Sequence, residues 1–307
     1  MRFDLVVPTI GRPSLGVLLQ SLEVSDGPLP ARIFIVDDRR SATAPLELGE
    51  TGDALRERIT VLRGDAAGPA AARNTGWRAS DAPWIAFLDD DVVVHGDWLA
   101  QIQRDIAALQ TSEAGSQGRV RVPLPADRPP TDWERNVAGL ESSAWITADM
   151  VYRRTVLEQL NGFDERFRRA YREDADFALR VFAAGYTIAQ GSRWIDHPVR
   201  PADPWVSVRL QAGNADDVLM AALHGKHWRE RANAPHGRWP YHLATVACFA
   251  AWMALTADFA WRRLKPGPRT PQEVRTVLLT SAVIPFAAVY HRTRAMLTLR
   301  SRLQSAQ

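Results

Sequence analysis

The chain is poor in cysteine. Among its 307 residues only Cys248 occurs, so no disulfide can form within it. That usage fits a reducing cytoplasm and leaves cohesion to a hydrophobic core, for which 46% hydrophobic residues suffice. Net charge is also scarce, at +3, so composition gives no footing for a nucleic-acid partner. Internal repeats and low-complexity tracts are missing. No signal-peptide layout is present: Asp4 interrupts the N-terminus and Pro8 ends its apolar run. The longest apolar stretches, 243–257 and 277–289, have 15 and 13 residues. Both fall short of the roughly 20 needed to span a bilayer.

What is present is an alternation of short apolar runs and helical patterns. Leu5-Val6-Val7, Ile33–Val36, Ile59–Leu62 and Trp84–Leu88 read as strands. Ser14 opens a helix with Leu15, Leu18, Leu19 and Leu22 on one face, and Gly68-Pro69 opens another that runs to Arg78. This order implies an α/β domain with a mostly parallel, twisted sheet. Ligands in such sheets bind beyond the carboxyl ends of the strands. Thr9, Asp37, Asp38 and Asp89 to Asp91 all follow strands and are candidates for one site. Residues 111–137, polar and proline-rich, read as a long surface excursion, and Trp145-Ile146-Thr147 as a further strand. Helices are expected over 153–160 and 174–184, then a short strand around Trp194-Ile195 and a helix over 206–224.

Three consecutive carboxylates, Asp89-Asp90-Asp91, repel one another at the end of a buried strand. A hard divalent cation, Mg²⁺ or Mn²⁺, relieves that repulsion and bridges to phosphate. An acidic turn in solvent is the plain alternative. Glu173-Asp174-Ala175-Asp176 opens a helix, where carboxylates favour the positive end of the dipole. Asp176 and Glu165 take that structural reading. Asp174, beside Arg172 and paired with a metal–phosphate site, can instead serve as a general base for an inverting sugar transfer. Arg73 lies on the first turns of a small-residue helix, within reach of a phosphate or base. His197 follows a strand and is a second candidate metal ligand.

In order, Val6-Val7-Pro8-Thr9, Val36-Asp37-Asp38, Gly68 to Asn74, Phe87 to Asp91, Gly162-Phe163-Asp164-Glu165 and Glu173 to Asp176 resemble the inverting GT-A glycosyltransferases of family 2. The resemblance covers about residues 3 to 200. It implies a GT-A fold, Rossmann-like with flanking helices, and a nucleoside-diphosphate-sugar donor held with Mn²⁺ or Mg²⁺. On the donor side it implies Pro8 and Thr9, Asp38 on the base, Arg73, and Asp89 or Asp90 on ribose or sugar. It further implies Asp91 and His197 on the metal, Asp174 as catalytic base and Glu173 on the acceptor side. Asp149 departs from the pattern, standing where many relatives carry a small or amide residue near the donor sugar.

The domain expectation is a catalytic unit over 1–205 and a helical extension over 206–307. The two apolar stretches of that extension suit either buried helices or a membrane-surface anchor. In the second case Arg262, Arg263, Lys265, Arg292 and Arg294 would meet anionic headgroups. The expected acceptor is a glycan, a lipid-linked sugar or a small molecule, in cell-surface glycan or glycolipid synthesis. The expected location is the cytoplasm or the inner face of the plasma membrane. Two rival readings are a sugar nucleotidyltransferase and a non-catalytic nucleotide- or lipid-binding protein. The first needs a glycine-rich basic loop after strand one, where this chain has only Pro8-Thr9-Ile10-Gly11-Arg12-Pro13.

Overall fold

A computed structural model describes residues 1–41 and 43–304. They form two compact units, 1–122 with 141–198, and 123–140 with the residues from 199 on.

The first unit is built on one eight-stranded sheet. Its strands are β1 (Phe3–Thr9), β2 (Ile33–Asp37), β3 (Ile59–Arg63), β4 (Trp84–Leu88), β5 (Val93–Val94), β6 (Glu113–Arg121), β7 (Asp149–Arg153) and β8 (Thr187–Asp196). The order across the sheet is β3-β2-β1-β4-β7-β6-β8-β5. Four neighbouring pairs, β3–β2, β2–β1, β1–β4 and β6–β8, are parallel, and β7 runs against both of its neighbours. Every residue of β1, β2 and β4 is buried, as strands covered on both faces require. One face packs Val6, Phe34, Phe87, Tyr152, Phe163 and Phe177 into a core. Helix Pro69–Arg78 closes on β1 because Gly76 leaves no side chain there. A Cβ on Gly76 would lie 2.3 Å from Val6 Cγ1.

Two expectations for this unit fail. Residues 113–121, inside the supposed excursion, are strand β6. Besides Val120, its buried positions are Ala114, Gly115, Ser116 and Gly118, too small and polar to print a hydrophobic pattern. They are small because the neighbours approach closely: a Cβ on Gly115 would sit 1.9 Å from the Val151 carbonyl. The expected strand at Trp145–Thr147 is irregular backbone, with Trp145 at φ +62°, and the strand begins at Asp149. A third outcome is continuity, since Ile188 and Trp194-Ile195 belong to the single strand β8.

The second unit is helical. Residues 206–224 are not one helix: Val206–Arg209 and Asn214–His224 flank a 3-10 turn at Leu210–Gly213. Helix Asp132–Ala138 opens with a reciprocal capping box between Thr131 and Glu134. It belongs to this unit because Asp132 accepts from Arg263 Nε at 2.9 Å, and Arg263 NH1 donates to Thr280 and Ser281. The first apolar stretch divides at Cys248 into helices Trp239–Ala247 and Phe249–Leu264. The second lies inside one helix, Pro271–Gln304. Its segment Pro271–Leu299 is long and apolar enough to cross a membrane by length and composition, and a third of its most apolar window is buried. The 13-residue apolar run understated it, because Arg275 and Arg292 bracket the run in sequence while the helix continues past both.

Candidate active site

The strand order reverses at β1, with β2 on one side and β4 on the other, so a crevice is expected beyond their carboxyl ends. Pro8 helps to open it. The β1–β4 pairing ends at Val6–Phe87, while β1–β2 continues to Thr9–Asp37. A proline has no N–H to carry the ladder toward β4. Beyond that fork Thr9 Oγ1 donates to Asp90 Oδ2 at 2.6 Å, and Arg12 donates to Asp90 Oδ1 at 2.6 Å. Burial pushes the Asp90 carboxyl up, and Arg12 and Thr9 pull it back. Both Asp90 oxygens are thus engaged in holding the 89–91 turn against the end of β1. Arg12 is a site residue the sequence reading missed. Nothing local marks it, since its partner is 78 positions away.

Asp37 and Asp38 divide the work at the end of β2. Asp37 is clamped by Arg39, whose hydrogen bonds hold its carboxyl below the usual range. Asp38 Oδ2 accepts the Gly68 N–H at 2.9 Å, while Oδ1 is buried with no hydrogen-bond partner. Gly68 sits at φ +100°, and a Cβ there would lie 2.3 Å from the Arg168 carbonyl. Only glycine serves at that position.

Helix Pro69–Arg78 carries Arg73, which is 2% exposed. Its NH2 donates to Asp89 Oδ1 and its NH1 to Glu173 Oε1, both at 2.8 Å. The guanidinium lies 5.7 Å from the Phe163 ring centroid. Arg73 therefore joins the two acidic segments, which are more than eighty positions apart in sequence. Asn74, fully buried, holds the neighbouring loop. Its Nδ2 donates to the Phe163 carbonyl and to Glu165, and its Oδ1 accepts from Trp77 Nε1 and the Phe163 N–H. Arg180 bonds Asp176 and the carbonyls of Leu160 and Gly162. Asp176 and Glu165 are thus anchors of the 160–165 turn.

Helix Glu173–Ala183 begins at Arg172 in the left-handed region, φ +77°. A non-glycine residue there stores strain on the order of 1–3 kcal/mol. Glu173 is buried, with Oε2 unpartnered. Burial and the adjacent Asp174 push its carboxyl up against the pull of Arg73. Asp174 is partly buried, and its Oδ1 accepts the Ala175 N–H at 2.7 Å. Burial raises its carboxyl above the usual value, while Arg73 and Arg172 favour the charged form. A carboxylate so placed is a stronger base than a solvated one.

Asp91 and His197 meet at the end of β8. Both are at least nine-tenths buried, and His197 Nε2 lies 3.6 Å from Asp91 Oδ1. That separation exceeds a hydrogen bond. It suits two ligands of one cation, each about 2.1 Å from it and hence up to about 4.2 Å apart. His197 Nδ1 is buried without a partner. Among the described residues no group of three His, Cys, Asp or Glu side chains could hold a metal ion. A cation here would take two protein ligands and complete its shell from phosphate oxygens and water, the usual habit of Mg²⁺.

Asp149 faces elsewhere. Its Oδ1 accepts from Arg193 Nε at 2.7 Å and its Oδ2 from Trp98 Nε1 at 2.8 Å. Arg193 also binds Asp105 and Ser116. The departure noted in the sequence serves a buried ion-pair network that ties β6, β7 and β8 to helix Trp98–Ala108.

Residues 4–160 match the family model described as Glycosyl transferase family 2. A succinoglycan biosynthesis protein, ExoM of Rhizobium meliloti (strain 1021), is 28% identical over 268 residues, 80% of this chain and 81% of that protein. A pre-mycofactocin glycosyltransferase of Mycobacterium tuberculosis is 26% identical over 167 residues, half of this chain and 34% of its own length. Among solved structures, the mannosyltransferase PcManGT from Pyrobaculum calidifontis, in complex with GDP-Man and Mn²⁺, aligns with TM-score 0.56 and 18% identity. It covers 95% of this chain and 87% of its own. The 1–349 fragment of S. aureus TarS aligns with TM-score 0.51 and 14% identity, over 98% and 92% of the two chains. At these identities the structural likeness concerns the fold alone.

Proposed function

Because the chain belongs to glycosyl transferase family 2 and is a GT-A glycosyltransferase using a nucleoside-diphosphate-sugar donor, we propose that the crevice at β1, β2 and β4 performs a metal-dependent inverting transfer to an acceptor hydroxyl. The observation that carries this reading is the Arg73 bridge between Asp89 and Glu173. It sets the base candidate, Asp174, beside the turn that holds the metal candidate, Asp91.

Asp38 Oδ1, buried and unpaired, accepts an N–H of the donor base. Pro8 and Thr9 wall that pocket. Asp89 meets the ribose or sugar, while Asp90 braces the turn from behind. Asp174 takes the proton of the acceptor hydroxyl as its oxygen attacks the anomeric carbon. Glu173 orders the acceptor side. Asp91 and His197 would hold Mn²⁺ or Mg²⁺, which when bound neutralises charge on the departing diphosphate. The Mn²⁺ and GDP-Man in the PcManGT structure support that choice of cofactor and donor class. The name of the Rhizobium relative supports a place in cell-surface glycan or glycolipid synthesis.

The test is calorimetric titration of UDP, GDP, dTDP and CDP with and without Mn²⁺. One nucleotide is expected to bind in a Mn²⁺-dependent way. Asp91→Ala and His197→Ala should each weaken that binding about tenfold or more and flatten its Mn²⁺ dependence. Nucleotide binding that ignores Mn²⁺ in the wild type would remove the metal from the reading.

The C-terminal unit supports a peripheral location on the cytoplasmic face of the plasma membrane. Residues 199–307 hold fifteen Lys and Arg against six Asp and Glu, although the whole chain carries only +3. Phe249, Met253, Trp261, Phe286 and Leu297 are exposed on the same unit. Apolar side chains interleaved with cations suit an anionic bilayer surface. The full chain should float with vesicles containing phosphatidylglycerol and much less with neutral ones. Remaining at the bottom of the gradient with both would refute the membrane contact.

A further inference from the structure

Within the first unit, β6 and β8 and the loop leading into β7 enclose a cleft of about 300 Å³. Gln117, Arg119, Glu141, Trp145, Gln190 and Trp194 are among its lining residues. The transfer reading gives none of them a role. We propose that this cleft binds one saccharide unit of the acceptor, a deepening that rests on the transferase reading above.

Its position comes first. Trp194 precedes His197 by three residues, about 10 Å along a strand. Both lie toward the carboxyl end of β8, the sheet edge that carries Asp91. Trp145 packs edge-on against Phe182 with centroids 5.0 Å apart, and Phe182 belongs to the helix whose first turn carries Asp174. A ligand in the cleft therefore lies on the strand that leads to His197, behind a wall that packs on the last turn of the helix whose first turn carries Asp174.

Its chemistry comes second. Trp194 is 39% exposed on β8, a strand flanked on its outer side only by the two-residue β5. The Arg119 guanidinium lies 5.6 Å from its ring centroid. Glu141 Oε1 is engaged by the Val122 N–H at 2.7 Å, and Arg119 Nε donates to the Gly191 carbonyl. Gln190 Nε2 donates to the carbonyls of Gln117 and Gly118. Glu141, Gln190 and Arg119 thus each carry polar atoms beyond these bonds, and all three line the cleft together with Trp145 and Trp194. Sugar hydroxyls need both acceptors and donors, and the apolar face of a pyranose ring needs an aromatic surface. A phosphate would be repelled by Glu141, and a lipid chain would leave these polar groups unpaired.

The wall is also held in a costly shape. Trp145 adopts φ +62°, an outlier for a bulky residue, and strain of this kind collects at ligand sites. Gln117 fixes it, accepting the Trp145 N–H and donating to the Ser143 carbonyl. The volume lies at the small end of ligand sites, roughly 300–1,000 Å³, which suits a single sugar ring rather than a long chain.

The test uses the full chain and the methyl glycosides of glucose, galactose, mannose and N-acetylglucosamine, followed by saturation-transfer NMR and calorimetry. At least one is expected to bind in the millimolar range. Trp194→Ala should weaken it tenfold or more, and Glu141→Gln severalfold, with Mn²⁺-dependent nucleotide binding unchanged in both. No glycoside bound by the wild type, or equal binding by Trp194→Ala, overturns the saccharide cleft while leaving the donor reading intact. Glycoside binding that depends on Trp194 in a chain that binds no nucleotide sustains the cleft and overturns the transferase reading instead.

Discussion

Asp174→Asn is expected to cut the rate of sugar transfer by about a hundred- to ten-thousand-fold, the usual contribution of a positioned general base. The substitution is nearly isosteric. The amide oxygen can still accept the Ala175 N–H that Asp174 Oδ1 accepts now, so the helix start is preserved. Nucleotide affinity should stay within about twofold, because the residues proposed to hold the donor lie on other elements. The loss therefore falls on kcat. The wild-type pH profile carries a second signature. Only the deprotonated carboxylate can take the acceptor proton, so activity falls as pH drops through the Asp174 pKa. Burial raises that pKa above the ordinary 3.8, so the acid limb should lie on the neutral side of a solvated aspartate. Wild-type turnover in Asp174→Asn, or an acid limb unchanged by it, would move the base elsewhere.

The parts of this site legible in the sequence are those whose chemistry shows locally. Asp89 to Asp91 stand out because adjacent carboxylates after an apolar strand are costly. Helix Pro69–Arg78 stands out through its glycine, proline and alanines. β1, β2 and β4 are continuous apolar runs because they are buried on both faces. β6 is different. Its buried positions other than Val120 are small, and Arg193 reaches in from β8 to bind Ser116 beside them. No periodicity survives such a substitution of a distant side chain for local ones. The same holds for partner assignments. Asp90 reads as a donor ligand until Thr9 and Arg12 are seen on its two oxygens. Asp149 reads as a departure in the donor pocket until Arg193 and Trp98 account for both of its oxygens. A sequence announces a carboxylate but not which of its oxygens is already taken, and that decides between ligand and brace.

Arg73 poses the sharpest case of that distinction, and its removal should have the largest effect on the molecule as a whole. It is buried between Asp89 and Glu173, bonding each through a different guanidinium nitrogen. Breaking a buried pair by deleting one partner costs about 3–5 kcal/mol, because the remaining charge is left without compensation. For a unit of this size Arg73→Ala should lower the melting temperature by about 10 °C, with transfer lost as well. Arg73→Lys should recover only part of either, since one ammonium cannot reproduce two divergent bonds. The pH dependence fixes the cause. Burial and Asp174 already push Glu173 upward, and without Arg73 it rises further. The folded variant then holds a proton that the unfolded chain releases near the ordinary glutamate value. Its stability is lost as pH rises from the ordinary glutamate value through the raised one, whereas the wild-type carboxyl has already titrated by about 8, so the deficit against wild type should open above about pH 8. Adding Glu173→Gln to Arg73→Ala removes the stranded charge and should restore much of the stability without restoring transfer. A deficit independent of pH and untouched by Glu173→Gln would mean that Arg73 matters for its packing on Phe163 rather than for its charge.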